Sequence, residues 1–162
     1  MAKAILIIGK ICCGKSTYAR QLAARSPAVI FSVDEFMLPL FGQHCARHRE
    51  YQDILEPCLL QKASEIVRAG LDVILDWGFW NSADRAEKAA FFRERGIAVE
   101  WHYIPISQAR LRAQVEERNR RILEEGLAAY YVDAPLAQKC ESIFEPPSAA
   151  EGLDIHGPQK LE

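Results

Sequence analysis

Long apolar runs are missing from this sequence. The apolar stretch at residues 4–8 is followed at once by Gly9, whereas a helix that crosses a bilayer needs about 20 predominantly apolar residues. The same stretch is shorter than the apolar part of a signal peptide, and no small-residue cleavage site follows it. The sequence therefore predicts no membrane-spanning helix, and we expect a cytoplasmic protein.

Cysteines at metal-binding spacings are also missing. The sequence has five cysteines, an odd number, and they form no C-x-x-C pair. This pattern argues against a zinc site and against a disulfide framework. We therefore expect reduced thiols at Cys12, Cys13, Cys45, Cys58 and Cys140.

An excess of charge of either sign is missing as well. Lys and Arg number 20 and Asp and Glu number 22, which gives a formal net charge of −2. Such a balance produces no overall attraction to nucleic acid or to an anionic membrane, although it allows a local basic patch. No repeat, low-complexity tract or linker is found, so we expect one domain over residues 1–162. The final Leu161-Glu162 pair is too short to be assigned to the native chain or to a cloning remnant.

The sequence does contain an alternation of short apolar runs and amphipathic segments. The apolar runs predict strands at residues 4–8, 28–32, 71–76 and 97–104, and a short last strand at residues 153–156. Helical spacing and capping residues predict helices at residues 17–24, 50–69 and 107–125, and one that Asn81 or Ser82 caps and Gly96 ends.

Two segments carry helix-breaking residues. Residues 35–48 contain Pro39 and Gly42 and are expected to be irregular, and residues 127–139 contain Pro135 and are mixed in character. The remaining strands and helices alternate along the chain. This order predicts a three-layer α/β fold with a parallel sheet of about five strands.

The most informative motif lies between the first strand and the first helix. Residues 9–16 read Gly-Lys-Ile-Cys-Cys-Gly-Lys-Ser and match G-x-x-x-x-G-K-[ST] in full. Gly9 and Gly14 permit backbone angles that a Cβ would oppose, so that N–H groups converge on phosphate oxygens beside the positive helix N-terminus. Lys15 would reach the β- and γ-phosphates, and the Ser16 hydroxyl would bind Mg²⁺. We predict an ATP site at Gly9, Lys10, Ile11, Cys12, Cys13, Gly14, Lys15, Ser16 and Thr17.

Cys12 and Cys13 are unusual residues for such a loop. Either thiol could be reactive, because a helix N-terminus lowers the pKa of a nearby thiol. The alternative is that both are small side chains without a chemical role. The second interpretation is favoured, since the sequence supplies no obvious resolving cysteine.

The sequence resembles the AAA-type ATP-binding P-loop kinases, a group related to chloramphenicol phosphotransferase, gluconate kinase, zeta-toxin kinases and polynucleotide kinase. The resemblance covers roughly residues 1–147. Its segments are the loop at residues 9–16, Ser-Val-Asp-Glu at residues 32–35, Val-Ile-Leu-Asp-Trp-Gly-Phe-Trp at residues 73–80 and Glu-Arg-Asn at residues 117–119. It implies a P-loop kinase fold and transfer of the γ-phosphoryl group of ATP.

Two carboxylates follow predicted strands, where ligands of parallel sheets bind. In the kinases that this chain resembles, an Asp at the position of Asp34 accepts the proton of the substrate hydroxyl, so we predict Asp34 as the base. Asp34 could also cap a helix that starts at Glu35, which is the second candidate for the base. Asp76 would hold Mg²⁺ together with Ser16, unless it is only a turn residue at the strand end.

Arginines and aromatic residues complete the candidate site. In related kinases, arginines at this place belong to a lid over ATP, which implies catalytic roles for Arg118 and Arg121; the alternative for these and for Arg120 is a surface pair with a nearby Glu. Trp77 and Trp80 would line an acceptor pocket or belong to the core, and Phe79 is expected in the core.

A local basic cluster comprises His44, Arg47, His48 and Arg49. It would bind an anionic acceptor or a nucleic acid 5′ end, but a solvated surface is the favoured interpretation. We therefore predict an ATP- and Mg²⁺-dependent kinase for a small-molecule hydroxyl. The alternatives are a nucleic-acid 5′-hydroxyl kinase and an ATP-binding regulatory protein with slow hydrolysis. Neither the acceptor nor the oligomeric state can be read from the sequence.

Overall fold

Five parallel strands form the centre of the structure, a computed structural model that describes residues 1–158. Residues 159–162, including the Leu161-Glu162 pair, lie outside the described residues. The strands are β1 (Ala4–Ile8), β2 (Ala28–Phe31), β3 (Asp72–Gly78), β4 (Val99–Tyr103) and β5 (Ile155–His156). They lie in the order β2-β3-β1-β4-β5, and each neighbouring pair is parallel. The predicted α/β fold with about five parallel strands is confirmed.

The central strand β1 is covered on both faces, which explains its continuous apolar sequence. Ala4, Leu6 and Ile8 belong to one hydrophobic cluster, and Ile5 and Ile7 belong to another. Successive side chains of a strand point to opposite faces of the sheet. A strand between two helical layers therefore needs apolar residues at every position.

Within residues 1–158, six α-helices surround the sheet. They are α1 (Lys15–Ala23), α2 (Val33–Phe41), α3 (His48–Arg68), α4 (Ser82–Arg93), α5 (Gln108–Glu125) and α6 (Ala134–Ile143). The predicted caps of α4 and α5 are confirmed, because the side chains of Asn81 and Ser107 accept hydrogen bonds from Asp84 N and Arg110 N. Within residues 1–158, no helix has both the length and the apolar character that crossing a membrane requires.

The prediction that residues 35–48 are irregular was wrong, because α2 occupies the first part of this segment despite Pro39. A proline inside a helix lacks the N–H that bonds to the carbonyl four residues earlier. That loss is offset by packing, since Val33 and Met37 are buried against Leu59 of α3. The helix ends where Gly42 takes a positive φ of 73°.

Residues 127–139, predicted as mixed, contain the start of α6, and Pro135 does not break that helix. Asp133 caps it by accepting a hydrogen bond from Leu136 N, and Pro135 lies in the first turn. A proline there costs little, because the first N–H groups of a helix have no partner within the helix. An Asp followed by a first-turn proline is a helix-start signal that the sequence contained.

A fully buried arginine links the loop after β3 to the chain beyond α6. Arg85 of α4 donates to both carboxylate oxygens of Glu151 at 2.6 and 2.8 Å. Its Nη1 donates to Phe79 O at 2.9 Å and to Glu145 O at 3.0 Å. These bonds to Arg85 lower the pKa of Glu151 to about 2. The charge is buried with four acceptors, so the removal of Glu151 would leave a buried guanidinium without its compensating charge.

Candidate functional site

The candidate site lies at the carboxyl ends of the central strands. The loop at residues 9–14 joins β1 to α1, and Gly9 N donates to Gly78 O at the end of β3 at 3.1 Å. The connection from β1 leads to β2 on the far side of β3, whereas β4 lies on the other side of β1. Such a reversal of strand order opens a crevice in which ligands of α/β proteins bind.

The first turn of α1 is open to an anion. Gly14 immediately precedes the helix with φ of 101°, a left-handed conformation that glycine adopts without strain. Within the described part of the chain, no side chain caps this helix, and its first turn has no acidic residue. The unpaired N–H groups and the positive end of the helix dipole therefore face the loop.

A glycine is required at position 9 because a side chain would not fit there, and not because of the backbone angle. Its φ is not positive, in contrast to the expectation that both loop glycines adopt unusual angles. A Cβ at Gly9 would lie 2.4 Å from Sγ of Cys13 and 3.4 Å from Cγ of Lys15. A side chain there would have to displace the buried Cys13. The left-handed angle appears instead at Cys12, with φ of 59°.

The Lys15 ammonium lies over the loop. Its Nζ donates to Lys10 O at 2.8 Å and to Gly9 O at 3.2 Å. These carbonyl groups hold a positive charge at the mouth of the loop, where the anionic end of a ligand would approach the helix N-terminus. The neighbouring Lys10 is turned away from the loop and pairs with Glu141 of α6.

Ser16 and Asp76 meet as the sequence predicts, and their oxygen atoms suit Mg²⁺. Ser16 Oγ donates to Asp76 Oδ2 at 2.6 Å, whereas Asp76 Oδ1 is buried and has no hydrogen-bond partner in residues 1–158. Burial raises the pKa of Asp76, and the Lys15 ammonium and the Ser16 hydroxyl oppose this shift. An unpaired carboxylate oxygen beside a hydroxyl fits an ion that prefers few protein oxygens and keeps several waters.

The Ser16–Asp76 pair is not part of a larger metal-binding group within residues 1–158. Among the residues that the structure describes, no three His, Cys, Asp or Glu side chains are grouped so as to hold a metal. A Mg²⁺ ion would need only the Asp76 carboxylate and the Ser16 hydroxyl from the protein, with phosphate oxygens and waters as its other ligands.

Asp34 lies in the first turn of α2, close enough for its charge to raise the pKa of Asp76. The N-cap of α2 is Ser32, so the alternative interpretation of Asp34 as the helix cap is wrong. The Asp34 side chain is exposed and makes no hydrogen bond to another group in residues 1–158. Glu35 also acts on the pKa of Asp76, with the smaller effect of the two.

The arginines of α5 have different surroundings, although they are close in sequence. Arg118 reaches the loop, where its Nη1 lies 2.9 Å from Sγ of Cys12. Arg120 pairs with three glutamates, and Arg121 pairs with Glu125 at 2.9 Å. The structure therefore brings Arg118 to the candidate site and leaves Arg121 in a surface pair.

The aromatic side chains at the end of β3 and just after it mainly contact the protein itself. Phe79 is fully buried and packs edge-on against Trp101, which confirms its predicted place in the core. Trp77 is partly buried, and its Nε1 donates to Phe31 O at 3.1 Å. Trp80 is partly buried against the core. Its Nε1 lies close to Gly78, where an added Cβ would be only 2.1 Å away from it.

The basic cluster in the middle of the chain is largely neutralised. Arg47, which directly precedes α3, pairs with Glu50, and Arg49 pairs with Asp53 at 2.9 Å; both pairs are exposed. This arrangement agrees with the interpretation of a solvated surface. His48 has a different neighbour, since its ring packs edge-on against Tyr130 at 5.5 Å between centroids.

Comparison with known proteins agrees with the loop and the fold. The sequence model of a family described as AAA domain matches residues 5–134. The chain belongs to the AAA domain family. No curated protein matches this AAA domain chain in sequence.

Solved structures resemble this AAA domain protein over almost its whole length. A provisionally assigned kinase from Chloroflexus aurantiacus has a TM-score of 0.71 and 16% identity, with 99% of this chain and 92% of that chain covered. Kti12 from Chaetomium thermophilum, in complex with ADP-AlF3, has a TM-score of 0.68 and 14% identity, covering 98% and 91%. A sugar kinase from Janibacter sp. HTCC2649 has a TM-score of 0.63 and 12% identity, covering 97% and 86%.

At these identities the likeness concerns the fold, which is that of the P-loop kinases. The resemblance to P-loop kinases noted in the sequence is thereby confirmed. The neighbours differ in what their names say they act on, since they include a gluconokinase and a complex for RNA repair. The names of the neighbours therefore do not indicate a single class of acceptor.

One residue near Asp34 escaped the sequence analysis. Tyr130 lies in the segment at residues 127–133 between α5 and α6, and its hydroxyl is buried. A pair of tyrosines in an otherwise irregular segment was the only sequence signal for it. Its position depends on how the segment packs against α2 and α3, which local spacing does not specify.

Proposed function

We propose that this AAA domain protein transfers the γ-phosphoryl group of ATP to a hydroxyl of a small molecule. The observation that carries this proposal is the arrangement at the carboxyl edge of the sheet. There, the open loop with Lys15, the Ser16–Asp76 pair and the exposed Asp34 surround one crevice. A nucleotide site alone would not need a carboxylate on the side opposite the loop.

The loop and the start of α1 bind the triphosphate in this proposal. Backbone N–H groups bind phosphate oxygens, and the Lys15 ammonium exchanges its carbonyl contacts for the β- and γ-phosphates. The binding residues are Gly9, Lys10, Ile11, Cys12, Cys13, Gly14, Lys15, Ser16 and Thr17. Ser16 and Asp76 would hold Mg²⁺, which would neutralise charge on the phosphates when bound.

Asp34 acts on the acceptor. Its carboxylate accepts a hydrogen bond from the acceptor hydroxyl and takes its proton as the acceptor oxygen bonds to the γ-phosphorus. The bond from the γ-phosphorus to the β–γ bridging oxygen breaks, and ADP leaves. Arg118, held beside the loop by Cys12, stabilises charge on the transferred group, with Arg121 as a second candidate.

Two other functions have support from particular observations. Structural likeness to members of an RNA repair complex favours a nucleic-acid kinase, but the arginines that would bind a nucleic acid are paired with carboxylates. Likeness to Kti12 favours a nucleotide-binding regulatory protein. Asp34 argues against that function, because a regulatory protein that only binds and hydrolyses nucleotide does not need a base for an acceptor hydroxyl.

A product screen separates the three functions. Mg-ATP is incubated with the protein and with alcohols, sugars, nucleosides, antibiotics or oligonucleotides, and the products are followed by ³¹P NMR. We expect a phosphate monoester of a small molecule to form in the same amount as ADP. Release of inorganic phosphate alone would favour the regulatory protein, and phosphorylation of oligonucleotides alone would favour the nucleic-acid kinase.

The loop cysteines provide a test of nucleotide binding that needs no acceptor. Cys13 is buried and the burial raises its pKa, whereas Cys12 is partly exposed. We expect N-ethylmaleimide to label Cys12 and not Cys13, and Mg-ATP to slow the labelling of Cys12 at least several-fold. The labelling rates are measured by mass spectrometry of peptides.

Cys58 on the exposed side of α3 is the internal control for this experiment. Its labelling rate should be the same with and without Mg-ATP, because α3 does not contribute to the loop. Equal rates at Cys12 in both conditions would contradict the binding of nucleotide at this loop. If Mg-ATP slowed the labelling of both Cys12 and Cys58, it would be acting on the reagent and not on the nucleotide site.

A further inference from the structure

We propose that Tyr130 recognises the acceptor, by donating a hydrogen bond to a second polar group of the molecule whose hydroxyl meets Asp34. The proposal rests on the proposed function and adds the chemical class of its substrate. That class is a small compound with two or more polar groups and no negative charge. Four features of the structure support it.

The first feature is a buried hydroxyl without a partner. Tyr130 Oη is shielded from solvent and forms no hydrogen bond with any group in residues 1–158. Buried polar groups are nearly always bonded, and each exception calls for an explanation such as a catalytic role or an absent water or ion. A ligand that accepts a hydrogen bond at this place would satisfy the hydroxyl.

The second feature is the place of the ring on the acceptor side of the crevice. The ring of Tyr130 packs on the cluster of Val33, Met37 and Leu59, at the start of the helix that carries Asp34. Burial, followed by the negative charge of Asp34, raises the pKa of Tyr130 to about 12. The hydroxyl therefore stays protonated near neutral pH and is able to donate.

The third feature is the rigidity of the segment around this tyrosine. The Gln43 side chain donates to Ala129 O and accepts from Tyr131 N at 3.0 Å, so it binds both chain neighbours of Tyr130. The Asn119 side chain bonds both the N–H and the carbonyl of Val132, at 2.9 and 2.7 Å. Two amide side chains thus hold the backbone, and a preorganised donor loses little entropy when it binds a ligand.

The fourth feature is the charge near the acceptor. Asp34 and Glu35 lie in the first turn of α2, close to Asp76 near the end of β3, so three carboxylates share this part of the crevice. Arg47 and Arg49, at the start of α3, are already paired with Glu50 and Asp53. An acceptor with its own phosphate or carboxylate would be repelled, because like charges at short range cost affinity.

Tyr130→Phe tests the hydrogen bond, since it removes one oxygen and retains the packed ring. The acceptor is first identified from neutral polyols, amino alcohols and the phosphorylated counterparts of the polyols. We then expect Tyr130→Phe to lower kcat/KM for the acceptor about 10-fold, mainly through KM. The KM for ATP and the melting temperature should be unchanged. Tyr131→Phe is the matched control, because the Tyr131 side chain is exposed.

The possible outcomes distinguish this proposal from the function on which it rests. If the wild type phosphorylates a small molecule and Tyr130→Phe does so within twofold of it, Tyr130 has no recognition role and the function stands. A higher kcat/KM for a phosphorylated acceptor than for its neutral counterpart would overturn the assigned substrate class. If the wild type transfers phosphate to no small molecule, the proposed function fails, and the role of Tyr130 fails with it.

Discussion

Replacing Lys15 with Ala is expected to lower phosphoryl transfer by on the order of 10³-fold or more. The ammonium group lies over the loop, 2.8 Å from Lys10 O and 3.2 Å from Gly9 O. Loss of its charge leaves the developing negative charge between the β- and γ-phosphates without its nearest compensation. The measurement is kcat for ADP formation, together with the melting temperature and the Kd for ATP.

The fold should tolerate the Lys15→Ala change, because the side chain bonds only to loop carbonyls and alanine is a good helix former. Lys62→Ala is the matched control, since Lys62 pairs with Glu65 on the exposed surface of α3. Its kcat should equal that of the wild type. Turnover by Lys15→Ala within a few-fold of the wild type would contradict the assignment of this loop as the catalytic phosphate site.

Asp34→Asn is expected to lower acceptor phosphorylation by on the order of 10²–10⁴-fold, the usual loss when a general base is removed. Asparagine keeps the size of the side chain but does not take up the proton. The Kd for ATP should change little, because the loop and the Ser16–Asp76 pair hold the nucleotide. The melting temperature should also change little, since Asp34 is exposed and does not cap α2.

Glu35→Gln provides the comparison for this experiment, because it changes the next carboxylate of the same helix turn. Its effect on kcat should be small. If Asp34→Asn retains activity within a few-fold and Glu35→Gln loses it, then Glu35 is the base. Retention of activity by both variants would place the base outside this turn of α2.

Lys15→Ala and Asp34→Asn are expected to differ in their effect on ATP hydrolysis, which separates the role of the phosphate site from that of the base. Lys15→Ala removes charge from the phosphate side and should affect ATP hydrolysis as well as transfer. Asp34→Asn removes a proton acceptor from the acceptor side and should leave any background hydrolysis nearly unchanged. A loss of both activities in Asp34→Asn would suggest that Asp34 acts through the metal site, where its charge already raises the pKa of Asp76.

The helix boundaries show where the sequence pattern predicted the structure correctly and where tertiary packing determined it. The caps at Asn81 and Ser107 could be predicted from the sequence, because each depends on one side chain and a backbone N–H three residues later. Helix α2 was missed because Pro39 is locally unfavourable, and the burial of Met37 that offsets it involves another helix. Helix α6 was missed although its signals were local, since Asp133 and Pro135 mark its start.

The sequence by itself determined the loop, its place after a buried strand and the candidate carboxylates, because these features depend on residues that are neighbours in the chain. Only the tertiary structure decided that Arg118, and not Arg121, contacts the loop, since this contact joins residues 106 positions apart. It also decided that the hydroxyl of Tyr130 is buried on the side of Asp34. Which face of a helix or segment meets the site follows from the packing of the whole core, and that packing is not encoded in any single stretch of sequence.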